Sequence, residues 1–159
     1  MKFIFFGAGY CSRFILPKLD SSSKIICTHN LEIKEQAFDK DLKIKRLTFS
    51  EFLKKKDNFF RGTTHILNSI PPLKNNDLIY DLLKNSKNKV FKDLKWFGYF
   101  SSTSVYGDHS GHWVDEETKI KPSSIFLSFS LQSLFTASSS IGLQPNPHTP
   151  SVGYAMTNP

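Results

Sequence analysis

The stretch Met1-Lys-Phe-Ile-Phe-Phe-Gly-Ala-Gly-Tyr-Cys-Ser-Arg-Phe-Ile15 decides the fold class. Phe3 to Phe6 is an apolar run of the kind a fully buried strand shows. Gly7-Ala8-Gly9 turns the chain, and Ile15, Leu16 and Leu19 then recur at helical spacing. A buried strand, a glycine turn and a helix form the first half of a βαβ unit that holds a dinucleotide's diphosphate. Gly7 permits a turn that a Cβ would obstruct, and Gly9 lets the backbone come close to an anion. The amides that open the helix face that anion with the helix dipole behind them. In the pattern G-x-G-x-x-G/A the third small position is Ser12, one oxygen larger than Ala. The candidate cofactor-binding residues here are Gly7, Ala8, Gly9, Tyr10, Ser12 and Arg13. Taken alone, G-x-G is also compatible with an ordinary strand-to-helix turn.

Working outward, a helix is expected from about Tyr10 to Leu19, stopped by Ser21-Ser22-Ser23. Lys24 to Thr28 reads as a second buried strand. A site for NAD usually places Asp or Glu just after that strand, to accept from the adenosine 2′-hydroxyl. Positions 28 to 30 are Thr28, His29 and Asn30, and Glu32 comes slightly late. Nothing there repels a 2′-phosphate, so NADP is favoured over NAD, with Thr28, His29 and Asn30 as candidate contacts. Leu31 to Leu42 is helix-like and charged. Ile44 to Thr48 alternates as an edge strand does, and Ser50 is a plausible N-cap for a short helix after it. Thr64 to Ile70 reads as a fourth strand stopped by Pro71-Pro72. A helix over Asn75–Asn85 turns Leu78, Leu82 and Leu83 to the core, and Trp96 to Phe100 is the fifth strand. This alternation predicts an α/β fold, a Rossmann-like doubly wound parallel sheet in the order 3-2-1-4-5. Ligands of such sheets sit beyond the carboxyl ends of the strands. Four loops meet there: Gly7–Arg13, Thr28–Asn30, Ser69–Pro72 and Ser101–Tyr106. Ile70 and Pro71 therefore join the candidate cofactor contacts, while His65, at the other end of its strand, reads as structural.

The chain of 159 residues carries a formal net charge of +7, enough length for one domain with a real core. Its lysines are interleaved with acids, which reads as solvated helix faces. No reader motif accompanies them, so a nucleic-acid partner is not expected. Cys11 and Cys27 are too few for a disulfide framework and read as interior thiols of a reducing compartment. No signal peptide and no membrane-spanning stretch is evident, so a cytoplasmic protein without a membrane partner is expected.

After the fifth strand comes Ser101-Ser-Thr-Ser-Val-Tyr-Gly-Asp108, then Trp113-Val-Asp-Glu-Glu-Thr118 and Pro122. Together with the Gly7/Gly9 turn and Ile70-Pro71-Pro72, this order resembles the extended short-chain dehydrogenase/reductase family, the NAD-dependent epimerase/dehydratase group. It looks closest to an atypical branch that opens with G-x-G-Y. The resemblance covers about Met1 to Ser124. It implies an oxidoreductase or epimerase using NAD or NADP on a small-molecule substrate that the sequence does not identify. It also implies that Ser102, three residues before the Val of V-Y-G, polarises a substrate oxygen, with Thr103 its neighbour; these are the candidate catalytic residues. The family's Y-x-x-x-K acid/base pair would fall near Phe126 to Leu131, which contains neither Tyr nor Lys. Turnover is therefore doubtful, and the alternatives are a non-catalytic nucleotide-binding module or an inert fragment.

All 35 charged residues, 21 basic plus 14 acidic, precede Ile125. The expected division is a dinucleotide-binding domain over 1–124 and a low-complexity, irregular tail over 125–159, for which a frameshifted reading frame is one reading and a genuine apolar, disordered tail the alternative. A parallel sheet truncated after its fifth strand would leave Trp96, Phe97, Tyr99 and Phe100 on an open edge. That edge would invite self-association.

Overall fold

A computed structural model describes residues 1–30, 42–71, 77–100, 106–115, 117–119 and 121, and the backbone of strands at 144–145 and 153–157. Strand β1 (Lys2–Phe6) leads into helix α1 (Tyr10–Ile15), which tightens into a 3-10 turn over Leu16–Lys18. Strands β2 (Lys24–His29) and β3 (Ile44–Thr48) follow, then the short helices α2 (Phe49–Lys54) and α3 (Lys56–Phe60). Strand β4 (His65–Asn68), helix α4 (Leu78–Lys84) and strand β5 (Trp96–Phe100) complete the parallel part.

The sheet order is β3-β2-β1-β4-β5, parallel throughout, as the sequence predicts. Alternation along β1 assigns the two layers. Ile4 and Phe6 enter a core with Phe52, Phe60, Ile79, Leu82, Leu83 and Phe91. Phe5 faces the other way, with Ala8, Leu16 and Cys27. Each buried Phe or Leu side chain contributes about 1.5–3 kcal/mol relative to leaving it in water. The central strand is therefore anchored from both faces, and its carboxyl end is held at a fixed height.

The sheet does not end at β5. The backbone of β7 (Gly153–Thr157) pairs antiparallel with β5, from Trp96↔Thr157 to Phe100↔Gly153, and β6 (Gln144–Pro145) pairs antiparallel with β7. The expectation of an irregular tail beyond an open fifth strand is corrected here. An unpaired row of amides and carbonyls beside buried aromatics is costly, and a β-forming segment without charge satisfies it.

Local differences have equally local causes. The cap of α2 is Thr48 rather than Ser50: its hydroxyl accepts from the Glu51 amide at 3.2 Å, and the Glu51 carboxylate accepts from the Thr48 amide at 2.7 Å. That reciprocal pair is a capping box, and it satisfies two amides where Ser50 could satisfy one. Cys11 is exposed rather than interior, because the buried stripe of α1 runs through Ser12 and Leu16. Helix α4 starts at Leu78, capped by Asp77, and buries Ile79, Leu82 and Leu83 rather than Leu78. Burial holds the Asp77 carboxyl above its usual range, although it accepts from the Ile79 and Tyr80 amides. The helix expected over Leu31–Leu42 lies outside the described residues except for buried Leu42.

His65 opens β4 at the amino end of the sheet. Its ring stacks on Phe3 at 4.7 Å, and burial, with the charges of Lys95 and the amino terminus, holds its pKa below the ordinary histidine value. It is a packed aromatic, remote from the carboxyl ends where the loops converge.

Candidate functional site

β1 ends at Phe6, and Gly7 turns with φ +72, a conformation that L side chains rarely adopt. A Cβ there would lie 2.9 Å from Ile70 Cγ1 and 3.3 Å from the Ile70 nitrogen. The glycine turn and the loop leaving β4 thus touch at the point where strand order reverses, because β1 lies between β2 and β4. Two short-range locks hold this geometry. Gly7 N–H donates to Thr28 Oγ1 at 3.3 Å, and Ala8 N–H donates to the Thr28 carbonyl at 3.0 Å. On the other side, Ser69 N–H donates to the Phe6 carbonyl at 2.8 Å, and Ile70 N–H donates to Asn68 Oδ1 at 2.9 Å.

Between these loops lies a crevice of about 480 Å³ lined by Gly7, Ala8, Gly9, Thr28, His29, Asn30, Phe49, Ser69, Ile70 and Pro71. That volume lies within the range of small-ligand sites, about 300–1,000 Å³. Eight of the residues that the sequence nominates for a cofactor therefore share one wall: Gly7, Ala8, Gly9, Thr28, His29, Asn30, Ile70 and Pro71. Tyr10, Ser12 and Arg13 lie outside that lining. Tyr10 is 73 % exposed and packs edge-on to Phe14, Arg13 is exposed, and Ser12 is buried beneath the helix with no partner for its Oγ.

The hydrogen bonds assign work among these groups. Gly7, Ala8 and Gly9 already use their amides inside the protein, the last toward the Gly7 carbonyl at 2.7 Å. The Thr28 hydroxyl is occupied as the latch of the turn. The donors that helix geometry leaves without an intrahelical acceptor are those of Tyr10, Cys11 and Ser12, in the first turn of α1. An anion at this end of the sheet would meet those amides. Gly9 offers it an unobstructed approach, since a Cβ there would find only the Gly7 carbonyl oxygen, at 3.8 Å.

Two residues at this end escaped the sequence reading. Phe49 lines the crevice from the first position of α2, and its place there depends on the α2 cap. Arg46, on β3, donates from Nη1 to His29 Nε2 at 3.0 Å. Neither carries a local signal, because the pairing of β3 with β2 is what brings Phe49 to the crevice and Arg46 to His29.

Ser102 and Thr103 lie outside the described residues. The loop that follows them is ordered by internal bonds. Tyr106 is buried, and a Cβ on Gly107 would run into the Lys121 carbonyl oxygen. Asp115 and Thr118 close a turn on each other, with Thr118 Oγ1 donating to Asp115 Oδ1 at 2.8 Å. Asp115 and Thr118 of the second motif therefore lock a turn. Among the described residues, no group of three or more His, Cys, Asp or Glu side chains could hold a metal, and no helix is long and apolar enough to cross a membrane.

No family model and no curated protein matches the chain. Solved structures do. A conserved protein of unknown function from Silicibacter pomeroyi superposes with TM-score 0.65 at 26% identity, over 86% of this chain and 48% of that one. The fold is Rossmann-like. A UDP-glucuronic acid 4-epimerase from Bacillus cereus, in complex with NAD, superposes with TM-score 0.62 at 16% identity, over 89% of this chain and 53% of that one. The methyltransferase domain of a bacterial Hen1 protein superposes with TM-score 0.52 at 15% identity, over 98% of this chain and 89% of that one. The chain thus spans about half the length of the first two of these structures.

Proposed function

We propose that this chain binds a nicotinamide dinucleotide and follows the plan of the NAD-dependent epimerase/dehydratase group. The observation that carries the reading is the Gly7 turn, left-handed and fixed against Ile70, at the exit of the central strand of a parallel sheet. Its chemistry fits the group. A diphosphate needs backbone donors without side chains in the way, and the first-turn amides of Tyr10, Cys11 and Ser12 beside Gly9 supply them. Arg13, on the same helix, adds positive charge. The adenosine half falls to Thr28, His29 and Asn30, and Ile70 and Pro71 bound the other side. The absence of an acid at positions 28 to 30 favours NADP over NAD.

When bound, the coenzyme would supply hydride chemistry. Ser102, with Thr103 beside it, would donate a hydrogen bond to the substrate oxygen. The Phe126–Leu131 segment has neither Tyr nor Lys, so the proton transfer that normally accompanies hydride transfer has no provider of the usual kind. Coenzyme binding with little or no turnover is the behaviour this composition supports. Two cysteines, Cys11 and Cys27, are too few for a disulfide framework and suit a reducing compartment, and we assign the protein to the cytoplasm.

A second reading is methyl transfer from S-adenosylmethionine. It is favoured by the antiparallel strands beyond β5 and by the methyltransferase neighbour of similar length. The two ligands differ where the site is most specific: one brings a diphosphate to the Gly9 approach, the other an amino acid. Titration with NADPH, NADH and S-adenosylmethionine, followed by the emission of Trp96 and Trp113, separates the readings. Saturable binding of a nicotinamide coenzyme supports the first, and binding of S-adenosylmethionine alone overturns it.

A further inference from the structure

A second cavity lies at the amino end of the sheet, where the chain enters β4 and β5. It measures about 450 Å³ and is lined by Gly62, Thr64, Lys92, Asp93, Leu94 and Lys95. Thr64 ties its base to the sheet: the Thr64 amide donates to the Lys2 carbonyl at 2.9 Å, and its own carbonyl accepts from the Lys95 amide at 2.8 Å. Gly62 has φ +73, and a Cβ built there would find no atom within 4 Å, so the wall stays open at that point. Lys92 and Lys95 are exposed, and among the described residues neither ammonium has a hydrogen bond or an ion pair. More positive charge gathers beside them. Lys2 Nζ donates to the Arg61 carbonyl at 2.8 Å, one residue before Gly62. Burial, and after it the Lys24 charge, hold Lys2 below the ordinary lysine pKa. Burial, then Lys95 and the amino terminus, do the same to His65, whose Nδ1 lies 2.8 Å from Thr64 Oγ1. Neighbours that suppress each other's protonation mark a positive field that local carboxylates do not offset. Asp93 is the one carboxylate in the lining.

We propose that this cavity is a second binding site, separate from the crevice, for the phosphate or diphosphate group of a small molecule held between Lys92 and Lys95. Lysine serves phosphate as a point charge on a flexible stem, and two unoccupied ammoniums three residues apart can close on one multivalent oxyanion. The volume lies within the range of small-ligand sites, about 300–1,000 Å³. Shape and charge favour a compact anion over a nucleic-acid strand. A concave pocket with Asp93 in its wall accommodates one or two phosphates, whereas a strand presents a long row of them and is met by a stripe of cations. Asp93 opposes the anion and so limits the affinity of the site.

The test titrates inorganic pyrophosphate into the full chain at constant ionic strength and follows the His65 ring resonances by NMR across pH. His65 sits beside this cavity and at the opposite end of the sheet from the crevice, so its ring reports this site and not the other. The expected result is a saturable change, with a His65 pKa that rises because the bound anion offsets the Lys95 charge. Replacing both lysines, Lys92→Gln with Lys95→Gln, should weaken binding about tenfold or more, and Lys92→Arg with Lys95→Arg should keep it. Asp93→Asn should tighten it about two- to fivefold. Both lysines are exposed, so these changes leave the core intact. No saturable change at His65, or unaltered affinity in the double Gln variant, overturns the proposal. So does an equal response to sodium chloride. A single-stranded oligodeoxynucleotide that binds more tightly than pyrophosphate and displaces it also overturns the proposal, and makes this face a nucleic-acid surface instead.

Discussion

Adding one methyl group at Gly7 or at Gly9 should have opposite consequences, although the two positions are two residues apart. At Gly7 the backbone sits at φ +72, and an added Cβ meets Ile70 Cγ1 at 2.9 Å with the Ser69 carbonyl carbon and the Ile70 nitrogen at 3.3 Å. The left-handed conformation costs a non-glycine residue about 1–2 kcal/mol. Overpacking against a β-branched side chain and a backbone adds about 1–2 kcal/mol more. Gly7→Ala should therefore lose about 2–4 kcal/mol of stability. For a domain of this length that is a fall in melting temperature of about 6–12 °C at the middle of the range. At Gly9 φ is −90, and the nearest atom to a built Cβ is the Gly7 carbonyl oxygen at 3.8 Å. Gly9→Ala should fold within about 0.5 kcal/mol of the unaltered chain. Its methyl would stand in the path of an approaching diphosphate, so coenzyme affinity should fall about tenfold or more. Calorimetric melting and coenzyme titration on the same two variants read both effects. A Gly7→Ala protein that melts with the unaltered chain refutes the packing argument. A Gly9→Ala protein that binds coenzyme normally refutes the proposed approach of the diphosphate.

Three further outcomes follow from single groups. Ser12 Oγ is buried without a partner, so Ser12→Ala should raise stability by about 1 kcal/mol in urea unfolding; a loss of that size would mean the hydroxyl is satisfied. His65 has its folded pKa held below the 6.5 of a free histidine, so the unfolded chain takes up the proton first. Stability must therefore fall as pH drops below about 6.5, and continue to fall down to the depressed folded pKa. His65→Phe, which keeps a ring against Phe3, should lose less over that range than the unaltered chain does; parallel curves would contradict this. Deleting the residues after Leu143 removes β6 and β7 and bares the β5 backbone beside Trp96–Phe100. Light scattering should then show self-association that the full chain lacks, and a monodisperse monomer would count against the edge-covering role.

The parallel core was legible because its signals are local. The apolar runs of β1 and β2, the bounds of β3 at Ile44–Thr48 and of β5 at Trp96–Phe100, and the order 3-2-1-4-5 all follow from strand-length patterns and short connections. The crevice followed in turn, because a doubly wound sheet brings the loops after β1, β2 and β4 to one end. Other features were present in the sequence but need phase or reciprocity to read. Thr48-x-x-Glu51 is a capping-box pattern, and the helical phase through Ser12 and Leu16 puts Cys11 outside. Ile79, Leu82 and Leu83 likewise form the stripe that Leu78 misses. The rest depends on chain segments far apart meeting in space. Arg46 against His29, Phe49 at the crevice, and β7 beside β5 have no local signature, because strand adjacency creates each of them.

The central claim is that amides at the start of α1, beyond the Gly7 turn, receive a dinucleotide's diphosphate. Its most direct measurement is titration of the full chain with NADPH and NADH, followed through quenching of Trp96 and Trp113 and energy transfer to the nicotinamide. A saturable change at micromolar coenzyme, tighter for NADPH and lost in Gly9→Ala, is the predicted result. No change up to millimolar concentrations of either coenzyme, in a chain that melts cooperatively, would contradict it.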